Sequence, residues 1–171
     1  MDNKNIKVYD NYVNPPDFAS LQSEILSPIF EWTYCDQVVR DNPQDNNFQF
    51  VHLFFNMSFQ VSNKISYILP VIKQLDPVAI HRIKANCLTK TDNIQISGMH
   101  TDINEKRMLE SEPMVAILYI NSNDGYTLFE DGTKVHSLAN RICIFPYWMK
   151  HSGTTCTNAN RRIALNINYV R

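Results

Sequence analysis

The chain changes rhythm near its middle. Before residue 79 the apolar positions recur at helical or mixed spacing; after it they fall into short alternating runs. "NPPDFASLQSEIL" predicts a helix capped by Asn14 or Asp17, with prolines near its start. "SNKISYILPVIKQLDP" places Ile65, Ile68, Leu69, Ile72 and Leu75 on one helical face, with Pro70 as a kink or break. "KVYDNYV" reads as a short opening strand and "FEWTY" as another. "FQFVHLFFNM" reads as a buried aromatic segment, and "RDNPQDNN" as polar turn material. The second half, "AIHRIKANCL", "MVAILYIN", "YTLFE", "TKVHSL", "RICIFP" and "RIALNINYV", is a series of strands punctuated by Gly, Asn, Asp and Pro. Asp131-Gly132 between two alternating runs predicts a two-residue type I′ hairpin turn. The fold class is therefore mainly β with N-terminal helices, a sandwich or barrel. No boundary divides it. The expectation is one domain over 1–171, with helical support to about residue 78 and the β core beyond.

The last strand shows how the two faces divide. In "RRIALNINY", Ile163, Leu165, Ile167 and Tyr169 share one side and pack on something apolar, with the N-terminal helices as the candidate. Arg162, Ala164, Asn166 and Asn168 share the other. That small, polar face, headed by Arg162, suits the wall of a pocket, and an arginine fork suits a carboxylate.

Composition narrows the field. The chain has 171 residues and a formal net charge of -1, so it can bury a proper core and lacks the basic excess of a nucleic-acid or membrane surface. Cys35, Cys87, Cys143 and Cys156 show no CxxC spacing and read as reduced thiols in a cytoplasmic protein. The first residues lack a signal-peptide core, and no run is long enough to span a bilayer.

Among the five histidines, only His100 has a carboxylate two places on, in "GMHTDINEKRM". On a strand such residues point the same way. Chance alone makes one His-x-Asp about an even bet, and a surface histidine beside a turn aspartate is the plain reading. The third component is His151, just past the apolar strand and aromatic turn of "RICIFPYWMKHSGTT". His100, Asp102 and His151 would make a two-histidine, one-carboxylate site, which holds one face of an octahedral ion and leaves the other open. A 2-oxo acid would fill two open positions, dioxygen the third, and Arg162 would take the far carboxylate.

The order His100-Thr-Asp102, His151, Arg162 resembles the iron(II)/2-oxoglutarate-dependent dioxygenases. The likeness is to the prolyl 4-hydroxylase-like branch, including small single-domain members found in marine bacteriophages. It covers roughly residues 80 to 170. "VAILYIN" resembles the strand after the His-x-Asp loop, and "DGYTLFEDG" stands for a glycine-glycine-x-threonine hairpin. "IFPYWMKHSG" resembles the aromatic turn and histidine, and "RRIALNINY" the arginine strand. The resemblance implies a double-stranded β-helix, or jelly roll, using Fe(II), 2-oxoglutarate and O2, with ascorbate as an optional reductant. It implies a hydroxylase acting on a peptide, prolyl in the family's best-known case, or on a small molecule. A phage-encoded member would work in the host cytoplasm. His100, Asp102 and His151 would be both catalytic and metal-binding, and Arg162 would anchor the cosubstrate in preference to Arg161. Asn86, Thr127 and Asn166 are further cofactor-binding candidates. The pattern departs at Asp124, where a glycine is usual, and near Leu88, where a tyrosine often meets the cosubstrate.

His52, His81 and His136 lack an acid partner and read as structural or surface residues, and Tyr119 as core. Tyr147 and Trp148 fit a barrel rim or substrate entrance equally well. "NEKRMLESE" is a charged loop or short helix near the mouth. Two rival functions remain: a cupin-like metalloenzyme that does not use 2-oxoglutarate, and a non-catalytic jelly-roll binding module. Substrate and oligomeric state are not written in the chain.

Overall fold

The structure, a computed structural model, describes residues 5–39, 47–57, 59–102 and 113–171. The polar turn expected over 40–47 lies outside these residues except for its last position. The charged segment over 104–112 lies outside them entirely.

Strand β1 (Lys7–Tyr9) leads into helix α1 (Pro15–Leu26). Asn14 caps that helix, accepting from the Asp17 amide at 3.1 Å, and prolines open the first turn where no amide partner is needed. Phe18, Leu21 and Ile25 form its buried face. Strands β2 (Thr33–Cys35), β3 (Gln49–Asn56) and β4 (Phe59–Gln60) follow. A 3-10 turn over Asn63–Ile68 then gives way to helix α2 (Leu69–Leu75). Pro70 marks the changeover, in the first turn of α2 where a missing amide costs nothing. Asp76 ends α2 in the left-handed region at φ 49°.

The strand-rich half follows the expected order: β5 (Ala79–Thr89), β6 (Pro113–Tyr119), β7 (Tyr126–Phe129), β8 (Lys134–His136), β9 (Ile142–Pro146), β10 (His151–Gly153) and β11 (Arg161–Val170). The large sheet runs β1-β9-β6-β11-β5-β3-β2, with β4 paired to β3. The small sheet runs β10-β7-β8. Bridges Ile96↔Thr154 and His100↔His151 lay the preceding segment along the free side of β10. All the strand pairings are antiparallel, and the architecture is a jelly roll with N-terminal helices.

Two details differ from the sequence reading. The N-terminal part supplies more than helical support, since β1 to β4 extend the large sheet at both ends. Local patterning showed β1 and β2 as strands but not their distant partners. The hairpin turn is not type I′, which needs positive φ at both central residues. Only Gly132 has it (φ 87°), and its amide bonds the Phe129 carbonyl at 2.9 Å. The loop therefore has three residues, with glycine at the left-handed position.

The core has two layers. Ile163, Leu165, Ile167 and Tyr169 of β11 pack under α1 and α2, as the alternation predicted. Each such fully buried aliphatic side chain contributes about 1.5–3 kcal/mol. Between the sheets, Val115, Tyr119, Phe129, Phe145 and Met149 close one end of the interior. The other end stays open as a cleft.

Candidate metal and cosubstrate site

The cleft encloses about 530 Å³ of empty space, its open mouth included. Its wall contains every site residue predicted from sequence: His100, Asp102 and His151, with Asn86, Thr127, Arg162 and Asn166.

His151 opens β10, and the bridge between the two histidines holds His100 beside it, each amide bonding the other's carbonyl at 3.0 Å. The imidazole centroids are 4.8 Å apart. His100 Nδ1 meets the Gly98 carbonyl at 3.0 Å, and His151 Nδ1 meets the Met149 carbonyl at 3.2 Å. A carbonyl only accepts, so each Nδ1 carries a proton, and Nε2 is the atom each ring turns toward Asp102. Asp102 Oδ1 lies 3.9 Å from His100 Nε2, and Oδ2 lies 3.5 Å from His151 Nε2. One ligand atom from each residue falls within 4.8 Å of the others, a set able to hold a metal ion.

The alternation argument placed His100 and Asp102 on one strand. The structure bridges only His100; Asp102 lies in a bend beyond it. Side chains aim it instead. Arg82 Nη2 donates to Oδ1 at 3.1 Å, and Asn166 Nδ2 donates to Oδ2 at 2.8 Å. Burial raises the Asp102 carboxyl, but the facing His151, Arg82 and His100, with the Asn166 hydrogen bond, hold it below the ordinary carboxylate range. Burial pulls His151 down despite the opposing pull of Asp102. His151 is thus neutral near pH 7, as a ligand must be, and Arg82 is the lasting cation that keeps Asp102 ionised.

Arg162 lies at the other end of the cleft, only 4 % exposed. Its Nε donates to Ser137 Oγ at 2.7 Å and its Nη2 to Thr127 Oγ1 at 3.3 Å. The guanidinium stands 5.4 Å from the centre of the Tyr119 ring, and the Tyr119 hydroxyl donates to Thr127 Oγ1 at 2.8 Å. Burial lowers the Arg162 pKa, yet a guanidinium stays charged. None of the ion pairs among the described residues involves it. Arg161 points the opposite way and donates to the Leu26 carbonyl at the end of α1, 2.7 Å away. Gly125 lets the Arg162 stem pass: a Cβ there would sit 2.6 Å from Arg162 Cδ. Asp124 bonds the Thr157 hydroxyl and amide and the Asn158 amide, clipping the turn before β11. Leu88 lies opposite Arg162 in the β5–β11 register and offers no hydroxyl.

Sequence reasoning missed Ser137, Lys84, Gln49 and Arg82. On β5, Arg82, Lys84 and Asn86 alternate with Ile83, Ala85 and Cys87, a legible two-faced pattern. Ser137 carries no such signal. Of the other histidines, His52 is structural, set between Phe30 and Phe54 and meeting Ser62 Oγ at 2.8 Å, while His136 is exposed and packs on Tyr126. Trp148 is exposed beside the cleft's histidine turn.

No family model matches this sequence, and no curated protein matches it. Solved structures do. A Trichoplax adhaerens prolyl hydroxylase, solved with a hypoxia inducible factor peptide fragment, superposes with a TM-score of 0.68 at 10% identity, covering 98% of this chain and 84% of its own. The viral collagen prolyl hydroxylase of Paramecium Bursaria Chlorella virus-1 gives 0.66 at 12%, covering 99% and 97%. A 2OG-Fe(II) oxygenase-family oxidoreductase from Burkholderia pseudomallei gives 0.66 at 14%, covering 97% and 85%. The chain has the fold of the 2-oxoglutarate/iron(II) oxygenases. Its residues also fit the groups that this fold carries elsewhere. Two imidazole nitrogens and a carboxylate suit a divalent first-row metal. A buried arginine beside two hydroxyls suits the far carboxylate of 2-oxoglutarate.

Proposed function

We propose that this protein is a non-haem Fe(II)- and 2-oxoglutarate-dependent dioxygenase that hydroxylates a C–H bond, with residues 1–171 acting as one oxygenase domain. One observation carries the reading: a two-imidazole, one-carboxylate cluster shares a cleft with a buried arginine that has no acidic partner among the described residues. Bound iron(II) and 2-oxoglutarate together supply the activation of dioxygen and the oxidation.

The protein's part is ligation, orientation and exclusion of water. His100 and His151 present Nε2, their rings fixed by the Nδ1 bonds to Gly98 and Met149. Asp102 would add the one anionic ligand. Arg162, with Thr127 and Ser137 at its sides, anchors the far carboxylate. Asn86 lines the same cleft with its Oδ1 buried and without a hydrogen-bond partner, and would be available to the cosubstrate. Asn166 already gives its amide N–H to Asp102, so its part is to hold that ligand. Leu88, Ile117 and Ala164 keep the stretch between anchor and metal apolar.

The substrate is a peptide or a small molecule. Two neighbours in fold are prolyl hydroxylases, which makes a prolyl peptide the first to test. A second reading, a small polar substrate, has its own support: Gln49, Lys84 and Asn86 line the cleft, and no aromatic ring but the histidines does so among the described residues. Cys35, Cys87, Cys143 and Cys156 are free thiols, which fits a reducing cytoplasm. No helix among the described residues is long and apolar enough to cross a membrane.

The test is release of carbon dioxide from 2-oxoglutarate when oxygen reaches anaerobically iron-loaded protein. Arg162→Ala should weaken 2-oxoglutarate by about 1.5–3 kcal/mol, roughly ten- to 150-fold, and leave metal uptake intact. Loaded protein that never consumes 2-oxoglutarate, with peptides and amino acids both supplied, would return the cupin-like or binding-module reading.

A further inference from the structure

Asp102 reaches the proposed metal position without a strand to aim it. His100 is locked to His151 through its backbone, but two residues later the chain is in a bend. The direction of this carboxylate is set from outside the ligand set. Arg82 on β5 holds Oδ1 at 3.1 Å, and Asn166 on β11 holds Oδ2 at 2.8 Å. These strands are neighbours, with Arg82 opposite Asn168 and Lys84 opposite Asn166, so the two donors stand diagonally on the cleft-facing side. The Asp102 side chain between them is only 6% exposed.

The arrangement is costly in other respects. Arg82 Nε is buried without a hydrogen-bond partner, and so are Asn166 Oδ1 and both polar atoms of Asn168 beside it. Each such group costs about 1–3 kcal/mol of desolvation. Apolar side chains would fill this part of the wall at no such cost. Among the described residues, the ion pair of Arg82 is with Asp102, and that pairing gives its charge a purpose.

We propose that Arg82 is a positioning residue that, together with Asn166, orients Asp102 toward the metal. The inference rests on the reading of His100, Asp102 and His151 as ligands. Partners of this kind typically change metal affinity ten- to 100-fold when removed. Arg82 uses a single donor on Asp102, so a lysine ammonium in its place keeps the essential contact.

The test is titration of the EDTA-stripped full-length protein with Mn(II), following free and bound ion by electron paramagnetic resonance, with circular dichroism as the folding control. Wild type should bind one ion per chain. Arg82→Met should bind about ten- to 100-fold more weakly with an altered bound-ion spectrum, and Arg82→Lys should recover most of the loss. Asn166→Ala, which removes the other grip and no charge, should weaken binding in the same direction. A folded Arg82→Met protein with wild-type or tighter affinity overturns the proposal. If Arg82→Met does not fold, wild-type affinity in Asn166→Ala overturns it just as well. Wild type that takes up no Mn(II) sinks the metal reading itself, a different failure from variants that match a metal-binding wild type.

Discussion

Arg162 shows how much a single position depends on what its neighbours lack. Its guanidinium is pinned by Ser137 and Thr127 and backed by the Tyr119 ring, so the side chain cannot easily yield. Its stem passes over Gly125, whose φ is not in the left-handed region; close approach is what demands glycine. A methyl there would meet Arg162 Cδ at 2.6 Å and the Thr155 carbonyl at 2.7 Å. Gly125→Ala should therefore weaken 2-oxoglutarate roughly tenfold, about 1.4 kcal/mol, by pushing the anchor aside. Mn(II) affinity should stay the same, because the metal-binding side chains lie at the other end of the cleft. Calorimetric titration of each ligand separates the two, and a loss of both would point to general disruption of the hairpin. The proposed ligands, Arg162 and Thr127 stood out in the sequence because each has a distinctive side chain at a patterned place, and the fold brings them to one cleft. The alternation along β5 put Arg82 on a polar face, but its pairing with Asp102, 20 positions away, comes only from the fold.

At the scale of elements, the turn before β11 sets where that strand begins. Asp124 receives the Thr157 hydroxyl and amide and the Asn158 amide, and these bonds hold its pKa below the ordinary carboxylate value. A carboxylate depressed in the folded state adds stability that is fully present above its unfolded pKa near 3.9 and is lost as pH falls through the lower folded value. Asp124→Ala should lower the thermal midpoint at neutral pH by a few degrees, about 1 kcal/mol for partly exposed bonds. The gap from wild type should narrow below about pH 4. A gap that stayed constant through acid would assign the loss to packing instead. Where the family pattern has glycine, this chain thus uses a side chain to fasten the loop, and Gly125 alone keeps the space open. Periodicity was a good guide to α1, β5 and β11, while β6 and β9 showed instead as continuous apolar runs, buried on both faces. It was a poor guide to the hairpin loop, where Asp-Gly suits either of two turns and the strand register decides. It could not show β3 pairing with β5, and β2 with β3 beyond it, because such pairing is non-local.

Among the described residues, the two sheets face each other across an apolar layer and a cleft. The apolar end is closed by Val115, Tyr119, Phe129 and Phe145. At the open end the walls carry Arg162 and Asn166 from the large sheet, and His151 and Thr127 from the small one. A metal would join the small sheet to the segment that carries His100 and Asp102, and a dicarboxylate bound there and at Arg162 would reach the large sheet. Binding should therefore stabilise both sheets as one unit, not a single loop. Ligand that binds only the folded state, at 100 times its dissociation constant, adds about 2.7 kcal/mol. For a chain of this length that is roughly a 5–10 °C rise in thermal midpoint. Mn(II) alone should give part of the shift, and Mn(II) with 2-oxoglutarate a further part. EDTA should reverse both, and His151→Ala should abolish both, since the cosubstrate's chelating end needs the metal. A shift with 2-oxoglutarate alone, equal to that with metal present, would mean that the arginine end binds independently and that the two halves of the cleft are not one site.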